Sequence, residues 1–426
     1  MGLVQATDCF ASGFLASRPF LRAAGRLMIL GAAAGVLSAC GANFAGKNAG
    51  ESDLPFNAPV GKVESQPLEG AAPGSSANTI GTGPVKVALI LPLTSPNGQP
   101  SLVGQSLRNA ADLALAESGS NSLTILVKDD HSSPDGARDA AQAALAEGAE
   151  LFIGPLFAGD VREASRVARN AGKPLIAFST DSTTASRGSW LLSFLIESYV
   201  DRIVDYAAAK GKKSMAALIP DNDYGRVAEA EFQAEAAKKN IRVQSVEHYT
   251  PQTLDASIKK IAALGGQIDS LFIPEQADAM TAMSATLVAN GIDGKRVQIL
   301  GTGLWNDARV LNLPGMQGAW FAAPENDGFN RFAQRYRAKY GVDPTRLATL
   351  AYDAVSLAAA LAKTQGSQRF AESVLLNKAG FNGADGVFRF RPDGLNDRGL
   401  AVLQINNGTA APVSPAPRNF AQNSAM

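Results

Sequence analysis

Hydrophobic positions along the 426-residue chain change their spacing four times. An apolar run from Leu27 to Val36 follows Arg18, Arg22 and Arg26 and ends in small residues. A basic segment, a short apolar stretch and a small-residue exit describe a secretory signal. The run is too short to cross a bilayer core, which needs about twenty residues. From Gly41 to Pro84 the chain is Gly, Pro, Ala, Asn and Ser with scattered charges and no apolar period. Such a segment cannot bury enough surface to offset the entropy of ordering, and reads as a flexible linker.

From Val85 the pattern alternates. Apolar runs predict strands at Val85–Leu91, Leu123–Val127, Leu151–Ile153 and Pro174–Phe178. Helical periodicity predicts helices at Leu102–Glu117, Pro134–Glu147 and Asp160–Ala171 between and after them. A second set has helices Ser198–Lys210, Tyr224–Lys239, Leu254–Ala263 and Ala277–Ala289, with strands Ser214–Ile219, Val243–His248, Ser270–Ile273 and Val297–Leu300. Strands alternating with helices of ten or more residues predict βαβ units and parallel sheets covered on both faces. Helices Glu325–Tyr340 and Thr345–Lys363 follow. The turn signal Pro392-Asp393-Gly394 predicts a hairpin of Val387–Arg391 with Gly399–Ile405. The tail from Asn407 carries Pro412, Pro415 and Pro417 and is expected to be disordered.

Composition narrows the function classes. Lys+Arg and Asp+Glu are equal at 39 each, which argues against a nucleic-acid partner. Two Cys and two His leave little for a zinc site, a haem or a disulfide scaffold. No Gly-rich phosphate loop ending in Gly-Lys-Ser/Thr, no G-x-G-x-x-G after a strand and no G-x-S-x-G elbow occurs. No cofactor and no metal are expected. Asp129-Asp130-His131 is the nearest approach to a metal or acid–base cluster, but adjacent strand residues point to opposite faces. It reads as a polar loop, and His248 as a solvated or satisfied histidine. In Asp221-Asn222-Asp223-Tyr224-Gly225, Asp223 is the expected N-cap, at the carboxyl edge where open α/β sheets bind ligands.

Leu37-Ser38-Ala39-Cys40 resembles the bacterial lipobox, which implies a signal peptide over 1–39, lipidation of Cys40, and a linker over 40–84. Gly41 lacks the Asp that retains lipoproteins at the inner membrane. The resemblance therefore implies a periplasmic body on a lipid anchor, with the outer membrane favoured.

Val85-Lys86-Val87-Ala88-Leu89-Ile90-Leu91-Pro92-Leu93-Thr94 and Gly104-Gln105 resemble the start of the leucine-binding, type I periplasmic-binding family. Lys128-Asp129-Asp130, Ile153-Gly154-Pro155, Pro174-Leu175-Ile176, Asp223-Tyr224-Gly225 and Leu350-Ala351-Tyr352-Asp353-Ala354 follow in the family's order. The resemblance implies an α/β fold of two doubly wound Rossmann-like lobes with an interlobe cleft. Lobe one is expected over 85–195, completed by about 324–378; lobe two over 196–323, completed by about 379–406; the tail covers 407–426. Gly301-Thr302-Gly303-Leu304-Trp305, Gly318-Ala319-Trp320-Phe321 and Gly383 to Arg391 resemble, within that family, lipoproteins called penicillin-binding-protein activators.

Amino-acid-binding relatives hold the ligand carboxylate with hydroxyls and N–H groups and the ammonium with an acid and aromatic groups, satisfying both charges on desolvation. By that resemblance Ser179, Thr180, Asp181, Tyr224, Glu275 and Trp305 are the candidate ligand residues. Each can equally be a loop cap or turn residue. Ala158 stands where relatives commonly place a serine, and Asp181 near the place of a ligand hydroxyl. Three functions are weighed: capture of a small polar, amino-acid-like ligand for an ABC permease; regulation of a peptidoglycan synthase; and carboxylate-based catalysis. The last has no visible nucleophile–base set, so the chain is expected not to be an enzyme.

Overall fold

The computed structural model describes residues 78–119 and 121–420, so the signal, Cys40 and nearly all of the linker lie outside the described residues. Regular pairing begins with a two-residue strand, Thr79–Ile80 (β1), inside the segment expected to be linker. Val85–Leu91 (β2) follows, and every residue in it except Lys86 is buried. Two-sided burial needs a helix on each face. Leu102–Glu117 (α1), Pro134–Ala146 (α2) and Ala158–Asn170 (α3) supply them between Leu123–Asp129 (β3), Leu151–Ile153 (β4), Leu175–Ala177 (β5) and Ser189–Leu191 (β6). The six strands lie in the order β1-β3-β2-β4-β5-β6. Neighbours are parallel except for β1 against β3. Ser101 and Ser133 start α1 and α2 by accepting the N–H of Gly104 at 3.1 Å and of Gly136 at 3.2 Å.

Ile196–Ala209 (α4) opens the second lobe. Ser214–Pro220 (β7), Asp223–Lys238 (α5), Arg242–Tyr249 (β8), Leu254–Ala263 (α6), Ser270–Phe272 (β9) and Ala277–Ala289 (α7) repeat the βαβ plan. Gln298–Gly301 (β10), the short helix Ala308–Leu311 (α8) and Trp320–Ala323 (β11) follow. Asn326–Tyr340 (α9) and Ala348–Thr364 (α10) return to pack on α1. The Tyr336 hydroxyl accepts from Asn109 Nδ2 at 3.1 Å, and Tyr340 donates to the Asn109 carbonyl at 2.8 Å. Glu372–Leu375 (α11) leads to Phe381–Gly383 (β12), Gly386–Phe390 (β13), Asn396–Arg398 (β14), Ala401–Asn406 (β15) and Thr409–Ser414 (β16).

The second sheet has seven strands in the order β16-β15-β11-β10-β9-β7-β8, and β12-β13-β14 form a small third sheet. The chain passes between the lobes at 192–195, 324–325 and 399–400. The doubly wound, two-lobed α/β expectation therefore holds.

Three local expectations do not. β13 pairs with β14, not with the strand after it, and the expected partner 399–405 crosses to sheet two to pair with β11. Residues 379–398 sit with lobe one rather than completing lobe two: β12 packs on α10, and Trp190 Nε1 donates to the Arg391 carbonyl at 3.1 Å. The tail is not disordered throughout, because Thr409–Ser414 adds an antiparallel edge strand to β15. Prolines belong on such an edge, where no ladder donor is needed, and Pro412 stands opposite Leu403.

Candidate functional site

At lobe one's carboxyl edge Asp129 is a knot between two loops. Its Oδ1 accepts the N–H groups of Leu93 at 3.0 Å, Thr94 at 3.2 Å and His131 at 2.9 Å. Its Oδ2 accepts the Thr94 hydroxyl at 2.7 Å and lies 3.1 Å from His131 Nδ1. The strand ends at Asp129 and the chain turns through His131, whose φ is 51°, so Asp129 and His131 meet while Asp130 turns inward. Asp130 is 0% exposed and its Oδ2 accepts no hydrogen bond. Burial pushes its carboxyl up to about 7, with Asp160 of α3 adding repulsion. Asp160 is buried as well, has an unpartnered Oδ2, and is pushed up to about 6 by burial.

The loop after β5 closes on itself. Ser179 is buried and its hydroxyl accepts the Asp181 N–H at 3.1 Å. Asp181 caps the turn Ser182–Thr184 by accepting the Thr183 N–H at 3.0 Å, and its other oxygen pairs with Arg162 of α3 at 2.7 Å. The acid is thereby paired with a cation of its own lobe. Thr180 is exposed between them. Phe157 stands at the α3 N-cap and offers no side-chain acceptor, and Asp160 is the acid of the first turn, so first-turn N–H groups are left without a cap.

Lobe two brings its candidates together more closely. Asn222, not Asp223, is the α5 N-cap and accepts the Gly225 N–H at 2.8 Å. Asp223 is one residue too late, lies exposed, and pairs with Arg226. A Cβ at Gly225 would stand 2.0 Å from the Pro220 carbonyl oxygen, so only glycine lets the helix start this close to the strand. That close start places Tyr224, whose hydroxyl donates to Thr302 Oγ1 at 2.9 Å. Burial raises the Tyr224 phenol well above its ordinary value, while Tyr199 and Glu275 are near enough to add to the shift. Glu275 is buried, accepts the Tyr249 hydroxyl and the Gln276 N–H, and is pushed up by burial.

Trp305 does not join this group. It is 0% exposed, lies over Gly301 and is tilted against Phe321 with ring centres 6.4 Å apart. It lies in the lobe-two core, and its indole Nε1 is buried without a hydrogen-bond partner. Sequence reasoning missed Thr302, Tyr199 and Tyr249. Thr302 carried a usable signal: a hydroxyl one residue past a strand, between two glycines, at the carboxyl edge. Tyr199 carried none, because its proximity to Gly303 arises from the packing of α4 against β10.

Asp201, Glu231 and Glu235 bring carboxylate oxygens within 4.8 Å of one another. They lie on α4 and α5 away from both strand edges, and Lys238 already pairs with Glu235.

A family model described as periplasmic binding protein matches residues 84–410, and the chain belongs to that family. Its fold is similar to that of a Rhodospirillum rubrum protein described as a branched-chain amino acid ABC transporter, with TM-score 0.68 and 18% identity over 77% of this chain and 99% of that one. An ABC transporter substrate-binding protein from Sphaerobacter thermophilus gives TM-score 0.62 and 17% identity, covering 79% and 98% of the two chains. A branched-chain amino acid ABC transporter periplasmic ligand-binding protein from Burkholderia xenovorans gives 0.61 and 18%, covering 78% and 94%. No curated protein matches the chain.

Proposed function

We propose that the chain is a non-enzymatic, lipid-anchored periplasmic protein that captures a small polar, amino-acid-like ligand between its lobes for ABC-type transport. The observation that carries the reading is the family match across both lobes, 84–410, together with solved relatives described as branched-chain amino acid ABC transporter proteins. The lobe-two group supports it. Tyr224, Thr302 and Glu275 set hydroxyls and an acid close together at the carboxyl edge of the sheet, polar groups of the kind that orient a small ligand. On the lobe-one side Ser179 and Thr180 supply hydroxyls beside the uncapped N-terminus of α3. Cys40 anchors the body through its lipid, with the outer membrane favoured.

A second reading, regulation of a peptidoglycan synthase, draws on the Gly301–Trp305, Gly318–Phe321 and Gly383–Arg391 runs that resemble penicillin-binding-protein activators. The closed Ser179–Asp181 loop also favours it, since that edge offers a ligand fewer free groups than an open one.

Thermal-shift screening of the full chain against amino acids and cell-wall fragments separates the two. A true ligand at a hundredfold excess over its dissociation constant stabilises the fold by about 2.7 kcal/mol. Absence of any shift with amino acids, together with co-purification of a peptidoglycan synthase, overturns the transport reading. Cys40→Ala is expected to abolish membrane association, and unchanged fractionation overturns the lipid anchor.

A further inference from the structure

A cavity of about 300 Å³ opens between α9, α10 and the turn from β12 to β13. None of the loops that follow the parallel strands lines it, so it is separate from the candidate site at the strand edges. Its size lies at the lower end of ligand pockets, which run from about 300 to 1,000 Å³.

Two features of the wall point to an occupant of definite chemistry. The first is cationic. The Arg331 guanidinium is exposed and makes no side-chain pair among the described residues. Arg335 beside it is held in place, donating from Nε to Glu117 at 2.8 Å and from Nη2 to the Tyr352 hydroxyl at 3.3 Å. The fixed guanidinium loses little side-chain entropy on receiving a carboxylate, and the free one beside it can turn to add a second pair of donors.

The second feature is a buried acceptor. Asp353 borders the cavity and is 2% exposed. Its Oδ1 accepts the Ala384 N–H at 2.6 Å, but its Oδ2 accepts nothing. A Cβ at Gly383 would stand 2.3 Å from that oxygen, so only a glycine packs over the carboxylate at the cavity wall that both residues line. A buried carboxylate oxygen without a donor is costly, and a donor brought by an occupant relieves the cost. Burial also pushes the Asp353 carboxyl up to about 7, opposed by the charge of Arg398.

We propose that this cavity is a second ligand site, for a small carboxylate that also carries a hydroxyl or ammonium donor. The guanidiniums of Arg331 and Arg335 receive the carboxylate, and Asp353 receives the donor.

Malate and succinate test the proposal, since they differ by one hydroxyl. In calorimetric titrations of the full chain near neutral pH, malate is expected to bind about tenfold more tightly than succinate. Arg331→Ala, at an exposed helix position, should weaken both by about tenfold. Asp353→Asn should erase the preference for malate while retaining succinate. Tyr224→Phe, at the strand edge of lobe two, should leave both affinities unchanged. Four results overturn the site: no binding of either acid at about 10 mM, equal affinities in the native chain, indifference to Arg331→Ala, or a loss caused by Tyr224→Phe instead. Thermal melts of each variant confirm that it is folded before titration.

Discussion

In lobe one, Asp130 and Asp160 each bury a carboxylate oxygen that accepts no hydrogen bond. In lobe two, the buried Glu275 receives both the Tyr249 hydroxyl and the Gln276 N–H. The edges differ in the same sense. Asp129 and Asp181 of lobe one are occupied in tying and capping their own loops. Lobe two instead gathers Tyr224, Thr302 and Glu275 near one another, with Trp305 packed in the apolar core of the same lobe. Lobe one's edge is thus shaped by carboxylates that hold backbone. Lobe two's edge is shaped by apolar packing that holds hydroxyls.

Substituting that core residue tests the division most severely. Trp305→Ala removes a fully buried ring from the lobe-two core and should lower stability by about 4 kcal/mol in urea unfolding. Trp305→Phe, which keeps most of the apolar volume, should leave ligand affinity unchanged. A large loss of affinity in the Phe variant would return Trp305 to the ligand contacts and break the comparison.

Asp129→Ala is the matching test in lobe one. It strips acceptors from three backbone N–H groups and the Thr94 hydroxyl at once. Hydrogen bonds to a charged acceptor contribute about 1.5–3 kcal/mol each but do not add, so a loss of about 3 kcal/mol is expected. A loss under about 1 kcal/mol would mean that the loops hold without their knot.

The unpartnered acids Asp130 and Asp160 make stability depend on pH. So does Asp201 on α4 of lobe two, whose carboxyl burial also raises and whose Oδ1 accepts nothing. Burial holds the Asp130 carboxyl at about 7 and the Asp160 carboxyl at about 6 in the folded protein, against 3.8 ordinarily. A raised carboxyl binds its proton more tightly when folded. The stabilisation is therefore present at low pH and is lost as pH rises from about 4 through 7. Asp130→Asn should flatten that decline by about 2 kcal/mol, read from unfolding curves across this range. An unchanged slope would show that the declining stability comes from elsewhere.

Much of the fold was legible because two-sided burial writes long apolar runs. Leu102–Glu117 and Val85–Leu91 have the bounds their periodicity predicts. The misses share a cause in tertiary context. Ser189–Leu191, Trp320–Ala323 and Phe381–Gly383 are strands of three or four residues whose neighbours, not their composition, make them extended. The hairpin's partner is hidden in the sequence because Pro392-Asp393-Gly394 marks a turn without saying which strand leaves it, and the return strand, Asn396–Arg398, is polar. Thr409–Ser414 has the composition of a tail and becomes a strand only because β15 offers a free edge. In the site, loop positions were readable from strand ends, but orientation was not. Nothing in the spacing of Asp181 and Arg162 distinguishes an acid aimed at a ligand from one paired across to α3.

That last pair supports the mildest test. Arg162 and Asp181 are partly exposed, at 54% and 35% of their side chains, so their attraction is screened by water. Arg162→Ala should change stability by less than about 1 kcal/mol. It would nevertheless release a carboxylate beside Ser179 and Thr180, at the edge where an anionic ligand group is expected. A ligand with a carboxylate should then bind more weakly at low ionic strength, and added salt should recover part of the loss through screening. Asp181→Asn in the same background should restore affinity, since it removes the charge while keeping an acceptor for Thr183. If Arg162→Ala binds as well as the native chain in low salt, lobe one's edge takes no part in receiving the anion, and recognition rests with lobe two alone.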